Sequence, residues 1–382
     1  MTDDIYQRLA KHLDKLPGGF PATESGVELR LLRRLFTPEQ AELAPYLTLI
    51  PEETRVVARR AKLGTDETNR RLEEMAKEGL IFRIEPKQEN HPFRYMAAQF
   101  VIGIWEFHVN DLDPEFIKDM NEYIPTLAEE AWKVPQLRTI PVGRTISVQN
   151  EVLPYEEAET LIRAQKKLLV APCICRREHT IAGHGCDKPE ETCLIFGVGA
   201  NYYERNGIGR VIDQQEALDI LEKANEAGLV LQPSNTQKVT NICCCCGCCC
   251  QVLKAFKRRE KPVSMTSSPF IVSTNPDTCS GCETCVDRCQ MDALLVEDEH
   301  VVLNADRCIG CGLCVSTCPT DSLTLIRKPE SEQLTVPKNM QNAAIQLGKA
   351  RGKVGTGNLV SMLLKSKRDR LLASKSGGQV CR

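Results

Sequence analysis

The sequence predicts an α+β fold made of several domains, and three observations support this. The chain has 382 residues, which is enough for two or three domains with cores of their own. Its twenty cysteines are unevenly placed, since residues 1–172 contain none and nineteen lie between Cys173 and Cys318. Helical and strand-like patterns both occur in the cysteine-free front and in the cysteine-rich middle. We therefore expect a front domain, a cysteine-rich mixed α/β middle domain, a third compact domain after it, and a tail.

The composition and the N-terminus exclude several classes of protein. The net charge is −2 and charged residues make up 26%, so the overall balance does not call for nucleic acid or an anionic surface. The opening "MTDDIYQRLAKHLDKLPGGF" lacks the apolar run of a signal peptide, and no stretch is apolar enough to span a membrane. We expect a cytoplasmic location, where thiols stay reduced, and hence cysteines that bind metal rather than form disulfides.

The front domain is placed at residues 1–100. The stretch "PEETRVVARRAKLGTDETNRRLEEMAKEGLIFRIEP" predicts a helix, a turn at Gly64 and Thr65, a second helix ending at Gly79, and a strand. A charged hairpin and "RYMAAQF" follow, and "VELRLLRRLF" precedes it as a further helix. Together these segments resemble a winged helix-turn-helix, a family whose second helix usually reads the major groove of DNA.

The charge of the front domain favours another use of that fold. Residues 1–100 carry sixteen basic and sixteen acidic side chains, whereas a DNA-binding domain should show a basic stripe. We therefore favour a winged-helix-like module that contacts protein over one that binds DNA. Residues 101–165 are predicted to form a helical connector to the middle domain.

The middle domain, residues 166–268, contains two groups of cysteines. The apolar "LLVAPCIC" predicts a buried strand, in which Cys173 and Cys175 would point to the same side. The loop that follows could fold back, so that four cysteines bind one metal centre: Cys173, Cys175, Cys186 and Cys193. His179 and His184 flank this set. The alternative is that these cysteines are structural and behave as small apolar residues.

The second group is the run "NICCCCGCCC" at residues 241–250. It has seven cysteines: Cys243, Cys244, Cys245, Cys246, Cys248, Cys249 and Cys250. Neither a strand nor a helix would let all seven reach one metal cluster, so the run serves two centres, or serves one and leaves spare thiols. Its "CCG" core also has a faint similarity to the cysteine motif of heterodisulfide reductase-type subunits. We expect this run to close over residues 173–193.

The domain at residues 269–330 contains an internal repeat. The pattern C-x2-C-x2-C-x3-C occurs in "CSGCETCVDRCQ" and recurs 29 positions later in "CIGCGLCVSTCP". Three thiolates spaced in this way on a tight loop can hold three corners of an iron–sulfur cubane, and we expect the fourth cysteine to begin a helix toward the other cluster. Zinc ribbons, the alternative, use two C-x2-C pairs separated by a longer loop.

Residues 270–330 resemble the bacterial two-cluster 4Fe-4S ferredoxin. The resemblance implies that one cluster is held by Cys279, Cys282, Cys285 and Cys318. It implies that the other cluster is held by Cys308, Cys311, Cys314 and Cys289. The proline that follows the fourth cysteine in that family is present as Pro319, but Gln290 takes its place in the first run.

The tail, residues 331–382, is basic, with ten Lys or Arg against two Asp or Glu. The segment "NLVSMLLKSKRDRLLASK" predicts a short amphipathic helix, and the glycines around it indicate partial disorder. The alternatives are docking to an acidic partner protein and, less favoured, contact with a membrane surface. Cys381 is expected to be a free thiol.

The arrangement of residues 140–330 is similar to multi-cluster ferredoxin-like proteins of anaerobes. It leads us to expect an electron-transfer protein with at least three clusters: the two 4Fe-4S clusters and one or two further iron–sulfur centres in the middle domain. We expect it to exchange low-potential electrons with an anaerobic oxidoreductase partner, rather than to act as a free-standing enzyme. Two alternatives stay open, a redox-sensing winged-helix transcription regulator and a thiol- or cluster-based reductase.

Overall fold

The computed structural model describes residues 4–86, 88, 91–142, 153–353 and 356–376. These residues fall into two compact units. One lies within Met1–Lys133, Asn201–Ile208 and Ala344–Arg382, and the other within Val134–Ala200 and Gly209–Ala343. The cysteine Cys381, predicted to be a free thiol, lies outside the described residues.

The front of the first unit is a set of helices with one small sheet. Its elements are α1 (Ile5–Asp14), α2 (Val27–Leu35), α3 (Pro38–Leu43), β1 (Glu52–Glu53), α4 (Thr54–Ala61), α5 (Thr65–Lys77), β2 (Ile81–Ile84), β3 (Arg94–Ala97), α6 (Trp105–Phe107) and α7 (Pro114–Ala131). The strands are antiparallel in the order β1-β3-β2. The predicted succession of helix, turn, helix and strand after residue 51 is confirmed. An aromatic cluster of Phe20, Phe100 and Tyr123, with ring centroids 4.8 to 5.9 Å apart, supports its core.

The second unit is built on a five-stranded antiparallel sheet. The elements of this stretch of the chain are α8 (Ala158–Arg163), β4 (Leu168–Pro172), α9 (Ile174–Ile181), β5 (Glu191–Phe196), α10 (Val198–Arg205), β6 (Arg210–Ile212), α11 (Gln214–Glu226), β7 (Val230–Pro233), β8 (Asn241–Cys245) and α12 (Gln251–Lys257). Helix α10 belongs to the first unit from Asn201 onward. The strand order is β6-β4-β5-β8-β7. Strand β4 is buried from Leu168 to Ala171, as its unbroken apolar sequence predicts.

The same unit ends in a smaller α+β segment. Its elements are β9 (Phe270–Thr274), α13 (Thr284–Arg288), β10 (Leu294–Glu297), β11 (His300–Leu303) and β12 (Leu323–Arg327). β9 pairs with β12 and β10 pairs with β11, both antiparallel, so the first and last strands of the segment meet. A local core that includes Phe270, Val272 and Leu325 lies beneath the paired strands.

Two helices complete the chain, α14 (Met340–Ala350) and α15 (Thr356–Ser376). The basic tail segment is therefore helical, as predicted. Its Asp369 accepts a hydrogen bond from Arg60 Nε at 2.7 Å, and Ser366 donates to the buried Glu52 at 2.6 Å. Within the described residues, no helix is both long and apolar enough to cross a membrane.

Two expectations about the cysteine segments were wrong. The first strand ends at Pro172, so Cys173 and Cys175 lie at the start of helix α9 and not in extended chain. The pairing register shifts between Ala171 and Pro172, and proline has no N–H to continue the ladder. The second error concerns Cys289, which follows helix α13 and does not begin one. The chain must turn there to reach β10, with Asp292 at a φ of 52°.

Candidate metal centres

The doubled four-cysteine run encloses two cavities, each lined by cysteines of both runs. One cavity is lined by Cys279, Cys282, Cys285 and Cys318. The other is lined by Cys289, Cys308, Cys311 and Cys314. Three cysteines of one run thus meet the fourth of the other, because the pairing of β9 with β12 brings the two halves together. Four soft thiolate donors around each cavity are a donor set that suits a 4Fe-4S cluster.

The two runs repeat their backbone conformation as well as their sequence. Gly281 and Gly310 have φ values of 63° and 65°, a left-handed conformation that favours glycine. A Cβ atom at Gly281 would lie 2.8 Å from the Glu299 carbonyl oxygen, and one at Gly310 would lie 2.2 Å from that of Phe270. Both loops therefore need glycine for its φ and for the close approach of a neighbouring backbone.

The two cavities differ in exposure and electrostatics. Cys282 of the first cavity is exposed, whereas Cys308 and Cys314 of the second are buried. Burial raises the pKa of Cys311 to about 12. At Cys318 burial also acts upward, but hydrogen bonds from Ser322 and Thr320 outweigh it and lower the pKa to about 7. The first site therefore faces solvent and the second lies inside the unit.

Four cysteines of the middle region form a compact cluster, which we call the four-thiol group: Cys186, Cys246, Cys248 and Cys249. Their four sulfur atoms all lie within 4.8 Å of one another. The Cys249 sulfur is 3.6 Å from that of Cys186 and 3.8 Å from that of Cys248. Cys186 comes from the loop between α9 and β5, and the other three come from the turn between β8 and α12. Thiols that are distant in sequence thus meet, as the predicted closure of the run over residues 173–193 requires.

Six further cysteines form a continuous chain of thiol–thiol hydrogen bonds, which we call the six-thiol group: Cys173, Cys175, Cys193, Cys243, Cys245 and Cys250. Cys193 on β5 lies opposite Cys243 on β8 and is hydrogen-bonded to it. The chain continues from Cys243 to Cys245, which lies two residues along the strand on the same face, and then to Cys250. From Cys250 it runs to Cys175 and ends at Cys173.

Protein groups also donate hydrogen bonds to these sulfurs. The Asn241 side chain lies 3.5 Å from the Cys243 sulfur, and the backbone N–H groups of Val252 and Leu253 donate to Cys250. Hydrogen bonds from neighbouring thiols lower the pKa of Cys243 and Cys250 well below the ordinary value. Donors of this kind stabilise negative charge on sulfur, whether the sulfur is a free thiolate or a metal ligand.

Cys244 stands apart from both groups. It alternates with Cys243 and Cys245 along β8, so its side chain points to the opposite face of the sheet. It is only 1% exposed, and burial raises its pKa. Of the eleven cysteines upstream of the repeat, the structure therefore brings six into one group and four into another, and it leaves Cys244 in the core.

The repeat region matches a known family. Residues 272–325 match the family model of the 4Fe-4S dicluster domain. The chain carries an iron–sulfur domain. No curated protein and no solved structure matches the chain. The match covers the two cavities and leaves the four-thiol and six-thiol groups outside it.

A direct contact joins the dicluster domain to the cysteine run. The Gly247 N–H donates to Gln290 Oε1 at 2.7 Å, and a Cβ at Gly247 would lie 2.4 Å from the Gln290 carbonyl oxygen. Gln290 follows Cys289 directly, and Gly247 follows Cys246. Gln290 is the residue that replaces the family's proline, so this departure has a structural reason that the sequence pattern did not show.

One buried cation lies close to thiols of both groups. Arg176 is 2% exposed, and its Nη1 lies 3.7 Å from the Cys246 sulfur and 3.1 Å from the Cys244 carbonyl oxygen. Burial alone would lower the pKa of this guanidinium, but the negative charges of Cys173 and Cys246 raise it. The sequence pattern does not single out Arg176, although its position directly after Cys175 is a possible signal.

The flanking histidines have other partners. The Nδ1 atom of His179 lies 2.8 Å from the Cys175 carbonyl oxygen, and Lys254 Nζ lies 2.9 Å from its Nε2. Both ring nitrogens of His179 are therefore engaged. The exposed His184 packs edge-on against His179, with ring centroids 4.7 Å apart. The four-thiol group contains neither histidine.

Proposed function

We propose that this protein is an iron–sulfur electron carrier with at least three clusters. The observation that carries the proposal is the crossed lining of the two cavities by eight cysteines, within a segment that matches the 4Fe-4S dicluster family. Each cluster, when bound, would supply reversible one-electron transfer at low potential. The chain's own residues would set that potential through burial, through backbone amides and through access of solvent.

The six-thiol group is our candidate for the third cluster. Its thiols come from the start of α9, from β5, from β8 and from the residue before α12, so the fold gathers them from four places. Six thiols exceed the four ligands that either a zinc ion or a 4Fe-4S cubane takes, so the surplus thiols would bridge metals of a larger cluster or act as a redox dithiol. Val252, Leu253 and Asn241 already direct N–H groups at the sulfurs.

The contact between Gln290 and Gly247 supports a route for electrons between centres. Cys289, at the second cavity, precedes Gln290, and Cys245 of the six-thiol group lies two residues before Gly247. The hydrogen bond of 2.7 Å closes this path through a few covalent bonds and one polar contact. The first cavity, with the exposed Cys282 on its rim, would be the point of exchange with a partner.

The partner that we propose is an anaerobic oxidoreductase, with the basic tail as one docking element. Helix α15 exposes Leu363, Leu364 and Leu371 beside its lysines and arginines, a surface that suits a partner with acidic and apolar patches. Support for this partner class comes from the resemblance of the cysteine pattern in residues 140–330 to multi-cluster ferredoxin-like proteins of anaerobes.

We further propose that the front of the first unit is a winged-helix-like module that contacts protein. The ion pairs of α5, the helix that would read DNA, support this use. Arg70 pairs with Glu67 and Glu74 at 2.8 Å, and Arg71 pairs with Glu67 at 2.6 Å. Arginines held by carboxylates are poorly available to phosphates. Binding of random duplex DNA tighter than about 1 µM at physiological salt would instead favour the transcription regulator.

Iron and acid-labile sulfide analysis of the anaerobically purified full chain tests the cluster number. The dicluster domain alone accounts for about eight irons at four per cubane. We expect about twelve irons or more per chain, and we expect this count to fall toward eight when Cys243 and Cys250 are both changed to serine. The reduction potentials of the clusters should be about −400 mV. A count of eight in the wild-type chain, or potentials all above about 0 mV, would refute the proposal.

A further inference from the structure

We propose that the four-thiol group binds a single zinc ion, separate from the iron–sulfur centres. The inference rests on the proposed function only in assigning the other cysteine sets to iron–sulfur clusters. The cysteine run would then supply ligands to two kinds of metal centre, with Cys245 at one and the next residue, Cys246, at the other.

The spacing of the sulfur atoms distinguishes a single ion from a cubane. Four thiolates at about 2.3 Å from a tetrahedral metal stand about 3.8 Å apart. In the four-thiol group two separations are 3.6 and 3.8 Å, and all six are within 4.8 Å. In a cubane each thiolate binds a different iron, so the sulfurs must stand farther apart than around one ion.

The other cysteine sets do not share this spacing. In the part of the chain that the structure describes, the four-thiol group is the one set of three or more ligand side chains gathered within 4.8 Å. Among the described residues, no three sulfur atoms of the dicluster cavities lie within 4.8 Å of one another. The separation of the sulfur atoms therefore suits a single metal ion in the four-thiol group and a larger cluster in the dicluster cavities.

The ligand number and the surroundings also fit zinc. Closed sites with four cysteines are typical of structural zinc, and the four-thiol group supplies four thiols without a histidine or carboxylate. Zinc with four thiolates carries a net charge of −2, which the buried Arg176, 3.7 Å from the Cys246 sulfur, partly offsets. Cys246 and Cys249 are buried and Cys248 is exposed, so the site lies at the edge of the unit.

This position gives the ion a structural task. It would tie the loop that carries Cys186 to the turn that carries Cys246, Cys248 and Cys249. That turn lies between Cys245 and Cys250, two members of the six-thiol group. Zinc would thereby hold the backbone on which ligands of the neighbouring cluster are mounted.

The test uses the full chain, expressed in medium that supplies both metals and purified anaerobically. Zinc, iron and sulfide are counted, and X-ray absorption at the zinc edge measures the coordination. We expect about one zinc per chain, with four sulfur ligands at about 2.3 Å. Changing Cys248 to serine should cause loss of the zinc while the dicluster iron and sulfide remain. Cys244→Ala, a change in the same run on the opposite face of β8, is the matched control and should keep the zinc.

Three results would overturn the proposal: a wild-type chain without zinc, a Cys248→Ser variant that keeps its zinc, or iron bound at the four-thiol group. If the variant fails to fold, the X-ray absorption spectrum of the wild-type chain still tests the proposal, because nitrogen or oxygen ligands to zinc would contradict a site of four thiolates. An iron count of eight beside one four-sulfur zinc would refute the third cluster and leave the zinc site standing.

Discussion

Gln290 occupies the position that Pro319 holds in the second run, and its side chain accepts a hydrogen bond from the Gly247 N–H at 2.7 Å. Gln290→Pro would leave that N–H without its partner, at a cost of about 1–3 kcal/mol if it stays buried. We expect the variant to release the iron of the proposed six-thiol centre to a chelator faster than the wild type, with the dicluster iron retained. The measurement is the time course of iron release.

Two changes at matched positions sharpen this test. Pro319→Gln is the mirror change in the second run and should not accelerate release. Gly247→Ala should act like Gln290→Pro, because the added Cβ would lie 2.4 Å from the Gln290 carbonyl oxygen. Equal release rates for the wild type, Gln290→Pro and Gly247→Ala would show that the contact has no role in holding the centre.

Arg176 is a second residue whose substitution should have a measurable effect, in this case on a reduction potential. Its buried positive charge lies near thiols of both groups, and it favours the reduced state of a nearby cluster, which carries one more negative charge. Arg176→Gln should lower the potential of the six-thiol centre by about 50–100 mV, equivalent to about 1–2 kcal/mol for one electron. A spectroscopic redox titration measures it. Arg177→Gln, whose arginine pairs with Glu190 at the surface, is the control, and an equal shift in both variants would contradict the prediction.

At the scale of single elements, helix α1 carries a pH-sensitive group. The Nε2 atom of His12 is buried without a hydrogen-bond partner, and burial lowers the pKa of His12 to about 4. The unfolded chain binds this proton below about pH 6.5, whereas the folded chain binds it only near pH 4. The stability that comes from a neutral His12 is therefore present above pH 6.5 and is lost as the pH falls to 4, by up to about 3 kcal/mol.

We expect His12→Gln to flatten the fall in stability of the first unit between pH 6.5 and 4. Both tryptophans, Trp105 and Trp132, lie in this unit, so denaturant unfolding followed by tryptophan fluorescence reports on it. His91→Gln, at an exposed position of the same unit, should leave the slope unchanged. If the unfolding free energy of the His12→Gln variant falls with pH as steeply as that of the wild type, other groups cause the acid sensitivity.

At the scale of the whole molecule, we expect the two units to differ in their dependence on metal. All nineteen cysteines from Cys173 to Cys318 lie in the second unit, and the described residues of the first unit contain none. Because metal binding supplies folding free energy, oxidative removal of the metals in the presence of a chelator should unfold the second unit. The first unit should stay folded, since its core is formed by apolar and aromatic side chains such as Phe20 and Tyr123.

Limited proteolysis and tryptophan emission check this expectation. Cleavage should concentrate within residues 168–200 and 209–327, and the emission wavelength of Trp105 and Trp132 should not change. Loss of both units in a single step, with a red shift of the emission, would show that the first unit depends on the metals as well.

The sequence by itself determined the sites that short-range spacing encodes. The C-x2-C-x2-C-x3-C run can place three ligands on one loop, and its repetition after 29 residues predicts two equivalent loops. The resemblance to the two-cluster ferredoxin implies that the fourth ligands are crossed. In the structure the same eight cysteines line the two cavities. Helices α4 and α5 and strand β2 were predictable for the same reason, because local periodicity and turn residues specify them.

Only the tertiary structure decided how the other eleven cysteines are divided. Adjacent cysteines have no local sequence feature that distinguishes their spatial neighbours. Cys245 and Cys246 therefore look equivalent in the sequence although they belong to different groups. The division depends on the pairing of β5 with β8, which sets Cys193 opposite Cys243 and turns Cys244 to the other face. It also depends on Pro172, which ends β4 and places Cys173 and Cys175 at the start of α9. Strand register and loop closure join residues far apart in the chain, and local sequence patterns do not specify them.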